Sequence, residues 1–304
     1  MDMDKPTPQE PEPGKSAKHR RFSISLRRGI GLGAVAVIVS GAIFVYLGGY
    51  WHRTLDASVM ALRHLHRQIY YANGWPLPGT PDLARFDDRL SGMGLKRGDP
   101  VFIRIFKAEL ELELWMRKDG RFVHFATYPV CTWSGRLGPK QQQGDHQAPE
   151  GFYTVGKGQL NPNSRWHRSF DLGFPNLLDR AHGRTGSYLM VHGGCSSIGC
   201  YAMTDPVVGE IWTLITAAID KGQERFAVHA FPFRLSPARL AAYRNHPSVA
   251  FWREMKPGYD LFEANRVPPQ ISVCQKRYAA EPGEAAARSA PALRTACPRG
   301  ETGA

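Results

Sequence analysis

An uncharged run from Gly29 to Trp51 divides the chain and constrains everything that follows it. A helix needs about 20 apolar residues to cross a hydrocarbon core of ~30 Å, and this run is long enough. Tyr46, Tyr50 and Trp51 lie toward its end, where aromatic rings favour the lipid–water boundary. The sequence therefore predicts a transmembrane anchor over residues 29–51.

Residues 1–28 form the flank of this run and are predicted to be a disordered basic tail. Their first half is rich in proline and acids, and residues 15–28 contain lysines and arginines without an acid. The positive-inside rule leaves this tail in the cytoplasm and exports the rest of the chain. A cleaved signal peptide is the alternative, but its apolar core is normally ~7–15 residues and precedes a small-x-small site. The run here is longer and ends in Tyr50-Trp51-His52, so a retained anchor is favoured.

The formal net charge of +12 suits an anionic partner. Nucleic acid is not expected as a partner of an exported domain. Anionic lipid head groups and the acidic polymer of a cell wall remain, and charge alone does not choose between them.

The exported part changes its hydrophobic period along the chain. Over 52–96 we predict a helical membrane-proximal stalk, because Leu55, Val59, Leu62, Leu65 and Ile69 recur at helical spacing. Over 97–235 apolar and polar residues alternate, broken by long polar loops, which predicts a mostly β domain with accessory helices, an α+β fold. A C-terminal helical extension is predicted over 236–280, and a disordered tail over 281–304.

The stretch "MVHGGCSSIGCYAMTD", Met190 to Asp205, contains the residue types of a cysteine nucleophile. Cys200 follows Gly199, whose backbone freedom permits a sharp turn, and His192 ends a predicted strand. An imidazolium next to the sulfur would depress the thiol pKa. The N–H groups of Gly199 and Cys200 are the expected donors to a substrate oxyanion, with Ser197 supporting the loop.

Alternatives remain open from the residues alone. The chain has five cysteines, an odd number, so at least one is unpaired. A structural Cys195–Cys200 disulfide beside a histidine without catalytic role is the competing interpretation. Arg184 and His182 in "AHGRTG" are either carboxylate-binding residues or solvated loop charges. Asp205 is expected to cap the next helix, and no zinc spacing is present, so neither a metal nor a cofactor is predicted.

Several motifs in order resemble the YkuD-type L,D-transpeptidase domain, in its YafK-like branch. They are "YPVCTWSGRLGPKQQQGDHQAPEGFYTV", "NPNSRWHRSFDLGFPNLLDRAHGRTG" and "VHGGCSSIGCYAMTD", and the likeness covers roughly Pro100 to Phe233. His192-Gly193 matches the family's His-Gly, and Ser197, Gly199 and Cys200 match its Ser-x-Gly-Cys. The chain departs at Ile198, where the common pattern has a second histidine, and at Ala202, where it has an arginine.

The resemblance implies a YkuD-like β-sandwich or barrel, a nucleophilic Cys200, a general base at His192, and a substrate-binding role for Gly193. It places Cys131 near the site, where a buried thiol or a bridge to Cys195 is favoured over catalysis. The expected reaction is acyl transfer on peptidoglycan stem peptides in the periplasm, from the inner membrane, with a wall-anchored protein lysine as one possible acceptor. A peptidase or amidase that uses water, and a non-catalytic peptidoglycan-binding protein, are the alternatives.

Overall fold

A computed structural model describes residues 37–41 and 50–297 of the chain. The chain divides into two compact units, Met1–Ser58 and Val59–Ala304. The predicted tail over 1–28 and most of the predicted anchor over 29–51 lie outside the described residues. Within the described ranges, no helix combines the length and the apolar character that a membrane crossing requires.

The described part of the chain contains helices of different lengths and three sheets. The helices are α1 (Tyr50–Ala72), α2 (Phe86–Gly92), α3 (Leu177–Ala181), α4 (Asp205–Asp220), α5 (Pro237–Ala242) and α6 (Val249–Asn265). The strands are β1 (Val101–Phe106), β2 (Glu111–Lys118), β3 (Arg121–Pro129), β4 (Thr132–Trp133), β5 (Gly151–Gly156), β6 (Leu160–Asn161), β7 (Ser169–Asp171), β8 (Met190–His192), β9 (Tyr201–Ala202), β10 (Arg225–Phe231), β11 (Gln270–Cys274), β12 (Arg277–Glu281) and β13 (Arg294–Thr295). The predicted mixed α+β class, mostly sheet with accessory helices, is confirmed.

The first sheet has the order β3-β2-β1-β10-β5, with β1 and β10 parallel and the other neighbours antiparallel. All six residues of β1 are buried because both faces of the sheet are covered. Ile103 and Ile105 pack into the core that includes α4, and Phe102 and Phe106 pack on the opposite side. Arg104 shares the side of Phe102, where Glu113 and Glu263 pair with it.

The second sheet carries the stretch that the sequence singled out, and its order is β4-β9-β8-β7-β6. Its apolar residues Phe170, Val191 and Tyr201 join the same core as Ile211 and Leu214 of α4. The two sheets and α4 therefore share one hydrophobic core, which fixes β8 and β9 relative to the rest of the domain.

Helix α1 contacts the sheets through polar side chains instead of its apolar stripe. Arg63, Arg67 and Gln68 donate hydrogen bonds to the carbonyls of Ala108, Leu110 and Cys195 at 2.9, 2.7 and 2.9 Å. Leu62, Leu65 and Ile69 of the stripe are exposed. From Val59 onward the predicted stalk belongs to the same compact unit as the sheets, so this part is not a separate stalk.

The C-terminal part is more ordered than the sequence predicts. The expected helical extension over 236–280 contains α5 and α6, but it also contains β11 and most of β12, which pair antiparallel. The expected disordered tail is wrong for residues 281–297, because β13 pairs with β11 and Cys297 forms a disulfide with Cys274.

Candidate active site

Strands β8 and β9 lie side by side and parallel, with Val191 opposite Tyr201 and His192 opposite Ala202. Residues 193–200 connect them. In this register Cys200, the residue before β9, is level with Met190 of β8, two residues before His192. One strand spacing and two residues along the strand separate the Cα atoms of Cys200 and His192 by roughly 8 Å. Side chains two apart along a strand share a face. The fold of this loop therefore brings the predicted nucleophile and the predicted base to the same side of the sheet.

A cavity of about 380 Å³ opens on this side, and both Cys200 and His192 line it. The other lining residues are Asn161, Ser164, Arg165, Trp166, Tyr188, Met190, Ser196 and Ile198. The loop between β6 and β7, the segment before β8 and the 193–200 loop thus form its walls. The predicted site residues Gly193, Ser197, Gly199, His182 and Arg184 do not line it.

The disulfides leave Cys200 as the free thiol. Cys131 pairs with Cys195 across 5.3 Å between Cα atoms, and Cys274 pairs with Cys297. All five cysteines fall within the described residues, and Cys200 is unpaired. The alternative of a Cys195–Cys200 bridge is therefore wrong, and of the two non-catalytic states expected for Cys131, a buried thiol or a bridge to Cys195, the bridge is present.

The environment of His192 fixes its tautomer. The ring is 4% exposed, and Nδ1 lies 2.5 Å from the carbonyl oxygen of Gly193. Because a carbonyl only accepts, Nδ1 carries the proton and donates, which leaves Nε2 as an acceptor. Burial lowers the pKa of His192, whereas the hydrogen bond to the Gly193 carbonyl and the carboxylate of Asp205 act in the opposite direction. The ring is thus a neutral imidazole that is able to accept a proton.

The thiol of Cys200 is also neutral at rest. Its sulfur accepts a hydrogen bond from the Met190 N–H at 3.4 Å and donates to the Tyr188 carbonyl at 3.7 Å. Burial raises the pKa of the Cys200 thiol, although the Met190 N–H opposes that change. The predicted depression of this pKa by an imidazolium is therefore wrong for the free protein, since desolvation disfavours charge on both partners.

Hydroxyl groups hold the backbone of the turn that carries Cys200. The Ser197 hydroxyl accepts the Cys200 N–H at 3.1 Å and donates to the Cys200 carbonyl at 2.7 Å. Gly199 adopts a φ of 100°, which favours glycine, and its N–H donates to the Ser134 hydroxyl at 2.5 Å. The two N–H groups predicted as oxyanion donors already have partners in the free protein. Ser134, which comes from another loop, was not singled out from the sequence.

The loop that supplies Ser134 is fixed by a buried cation. The ammonium group of Lys107, fully buried, donates to the carbonyls of Arg136, Gly138 and Ala148 at 2.7, 3.1 and 3.0 Å. It also pairs with Glu150 at 3.0 Å. A buried charge with this many partners is stable in one geometry, so the 134–150 loop presents Ser134 in a defined place.

The two predicted carboxylate-binding residues are engaged elsewhere. Arg184 is buried, pairs with Asp179 at 2.8 Å and lies 4.9 Å from the Phe251 ring centroid. His182 donates through Nε2 to the Lys276 carbonyl at 2.9 Å. Neither residue lines the cavity, and a substrate role for them stays a prediction.

Gly193 and Asp205 shape the loop after β8. The Gly193 N–H donates to the Trp166 carbonyl at 3.0 Å, and the Asp205 carboxylate accepts the Gly194 N–H at 2.8 Å. The expectation that Asp205 caps a helix is wrong, because Thr204 is the N-cap residue and Asp205 is the first residue of α4. Gly193 acts through close packing, since a Cβ there would lie 2.4 Å from the Asp205 carboxylate. Its predicted substrate-binding role stays a prediction.

The sequence reasoning also missed the exposed rim of the cavity. Trp166, Tyr188 and Ile198 are 40, 73 and 73% exposed, and all three line the same cavity. Tyr188 has a φ of 55°, a left-handed conformation that bulky residues rarely adopt and that often marks a functional site. The only signal in the sequence was the aromatic and basic composition of "NSRWHRS" within a polar loop.

Comparison with known proteins decides the family. The model of the YkuD L,D-transpeptidase catalytic domain matches residues 100–225. Proteins of Escherichia coli strains K12 and O157:H7, each named "Putative L,D-transpeptidase YafK", are 46% identical over 181 residues, which is 60% of this chain and 74% of each relative. The chain belongs to the YkuD L,D-transpeptidase family.

Membership of the YkuD L,D-transpeptidase family confirms the predicted resemblance and supports an L,D-transpeptidase-like function on peptidoglycan peptides. Among solved structures, the helical cell shape determining protein Pgp2 from Campylobacter jejuni is similar at 20% identity and a TM-score of 0.36. That similarity covers 59% of this chain and 68% of the other.

Proposed function

We propose that this protein is a cysteine acyltransferase that acts on peptidoglycan stem peptides through a thioester on Cys200. One observation carries the proposal: the single unpaired thiol lines the same cavity as a neutral imidazole whose Nε2 is left to accept a proton. A thiol and a base on one cavity wall are the minimum set for covalent acyl transfer.

The reaction begins with two neutral partners. Nε2 of His192 takes the thiol proton as Sγ attacks the carbonyl carbon of an L-residue joined to a D-amino acid. The C–N bond then breaks, His192 returns the proton to the departing amine, and a thioester remains on Cys200. An incoming amine attacks the thioester, the C–S bond breaks, and a proton returns to the sulfur. A diaminopimelate side chain or a protein lysine is the proposed acceptor.

The oxyanion of the tetrahedral intermediate needs donors near Cys200. The N–H groups of Gly199 and Cys200 are proposed for this role, and each would exchange its hydroxyl partner, Ser134 or Ser197, for the substrate oxygen. Neutral hydroxyls bind such donors less strongly than an oxyanion does, so the exchange favours the intermediate over the free state.

The proposed location is the outer side of the inner membrane, in the periplasm, with residues 29–51 as the anchor. Two disulfides support this location, since such bonds persist in oxidising compartments. The basic residues before the anchor support the same orientation.

Product analysis tests the acyltransferase. The full chain in detergent is incubated with a murein tetrapeptide and a diamine acceptor, and products are separated by mass. We expect no product with Cys200→Ala and a fall of about 100-fold or more with His192→Gln, since general bases typically contribute that much. His167→Gln is the matched control, because His167 is exposed and does not line the cavity. Unchanged turnover in Cys200→Ala would overturn the proposal.

Hydrolysis of the same thioester by water is a second candidate. The observation that favours it is that Ala202, at the position of the family's arginine, is fully buried in β9 and presents no charge to an acceptor. The same incubation without diamine separates the two functions. A hydrolase releases the terminal residue at an unchanged rate, whereas a transferase needs the amine.

A further inference from the structure

One cation of the cavity has no role in the chemistry described above. Arg165 lies in the loop between β6 and β7 and lines the cavity together with Cys200. Its side chain is exposed, and the ion pairs of the described residues do not include it. The lining contains no aspartate or glutamate. With His192 neutral, Arg165 is therefore the uncompensated charge of the cavity wall.

The guanidinium of Arg165 is held beside an aromatic ring. It lies 5.4 Å from the ring centroid of Trp166, within the range of a cation–π contact. Such a contact orients the guanidinium and leaves its N–H groups available to a planar anion.

Trp166 is in turn fixed against the loop after β8. Its carbonyl accepts the Gly193 N–H at 3.0 Å, and its ring packs so close to Gly194 that a Cβ there would lie 2.7 Å away. Its ring centroid is 6.1 Å from that of His192. The position of Arg165 is thus tied to the imidazole through Trp166.

The side of the cavity near His192 is the side of the leaving group. In the proposed function His192 hands its proton to the departing amine, so the departing residue lies beside the imidazole and next to Trp166 and Arg165. A guanidinium recognises a carboxylate through paired, charge-assisted hydrogen bonds. We propose that Arg165 is a specificity-determining residue that binds the free carboxylate of a terminal departing D-amino acid. This proposal rests on the proposed function, and it assigns a substrate whose scissile bond is the last of the stem peptide.

The test measures binding separately from turnover. The full chain carrying Cys200→Ala is titrated calorimetrically with a murein tetrapeptide that ends in a free carboxylate, and with the same peptide ending in a primary amide. We expect tighter binding of the carboxylate form by about tenfold or more, the size of a hydrogen bond to a charged group. Adding Arg165→Gln should abolish that preference and leave the affinity for the amide unchanged. Arg165→Lys should restore part of it.

Arg168 provides the matched control. It lies on the same loop, is exposed, stacks 5.7 Å from the Trp212 ring centroid and does not line the cavity, so Arg168→Gln should retain the full preference. The carboxylate subsite would be overturned if the Cys200→Ala chain bound both peptides with equal affinity. It would also be overturned if Arg165→Gln lowered the affinity for both peptides by the same factor. Carboxylate selectivity in binding, together with absence of turnover in the unmodified chain, would overturn the acyltransferase and leave the subsite standing.

Discussion

Removal of the Cys131–Cys195 disulfide should weaken both the fold and the nucleophile loop. The bond closes a loop with a sequence separation of 64 residues. The chain-entropy relation gives about 4 kcal/mol of stability for a loop of that length. Alanine is the replacement of choice at both positions, because the two sulfurs lie in an apolar cluster with Leu77 and alanine adds no polar group to it.

The same bond anchors the chain that leads to Cys200. Cys195 keeps other anchors, since its N–H donates to the Met203 carbonyl at 3.1 Å and its carbonyl accepts from Gln68 at 2.9 Å. The loop should therefore loosen without unfolding. A small displacement of a catalytic group costs about 10- to 100-fold in rate, so acylation of Cys200 should slow within that range.

The double variant Cys131→Ala/Cys195→Ala is compared with Cys274→Ala/Cys297→Ala. The second bond has a sequence separation of 23, for which the same relation gives about 3 kcal/mol. Urea denaturation measures the free energy of unfolding, and the rate of thioester formation is measured by mass. We expect comparable losses of stability but slower acylation in the first variant alone. Equal acylation rates in both variants would refute the reasoning that links Cys195 to the nucleophile.

Three further changes test the site. Burial lowers the pKa of His192, so the acylation rate should stay constant as the pH falls from neutral to 6.5, the ordinary pKa of histidine, and should decline only below that pH. A decline centred at pH 6.5 in the pH–rate profile would contradict a neutral, buried base. Ser134→Ala should slow acylation by about tenfold, near 1.4 kcal/mol, because the Ser134 hydroxyl, which also donates to the His146 carbonyl, holds the turn that carries Cys200 in place. Ser134→Thr keeps the hydroxyl and should keep the rate, and stopped-flow acylation that is the same in all three proteins would remove Ser134 from the account. Gly194→Ala should lower the free energy of unfolding, measured by urea titration, by about 1–3 kcal/mol, because the φ of Gly194 is +82° and the new methyl group would clash with the Trp166 ring. Gly158 has open space around it, so Gly158→Ala should show no comparable loss in the same titration.

The sequence was sufficient where the chemistry is local. Cys200 and His192 lie only eight residues apart in the sequence, with the predicted loop between them, so their proximity could be expected before the parallel pairing of β8 and β9 was known. The strand pattern of the domain was also readable, because alternation of apolar and polar residues is a local property.

Contacts between distant segments were not predictable from the sequence. Nothing near Arg184 shows that Asp179 pairs with it in a buried position, and nothing near Gly199 shows that Ser134 accepts its N–H. The pKa of the Cys200 thiol was misjudged for the same reason, since burial depends on the whole fold. The composition of the C-terminal segment concealed a strand, β13, that only pairing with β11 stabilises.

The localisation of an acyl group tests the central claim most directly. The full chain is mixed with a murein tetrapeptide, quenched in acid within the first turnover, and digested for peptide mapping by mass. The account predicts that the peptide containing Cys200 gains the mass of the stem peptide without its terminal residue. A reagent that cleaves thioesters at neutral pH should remove this added mass. An acyl group on any other residue, or product formation while Cys200 stays unmodified and alkylatable throughout, would contradict it.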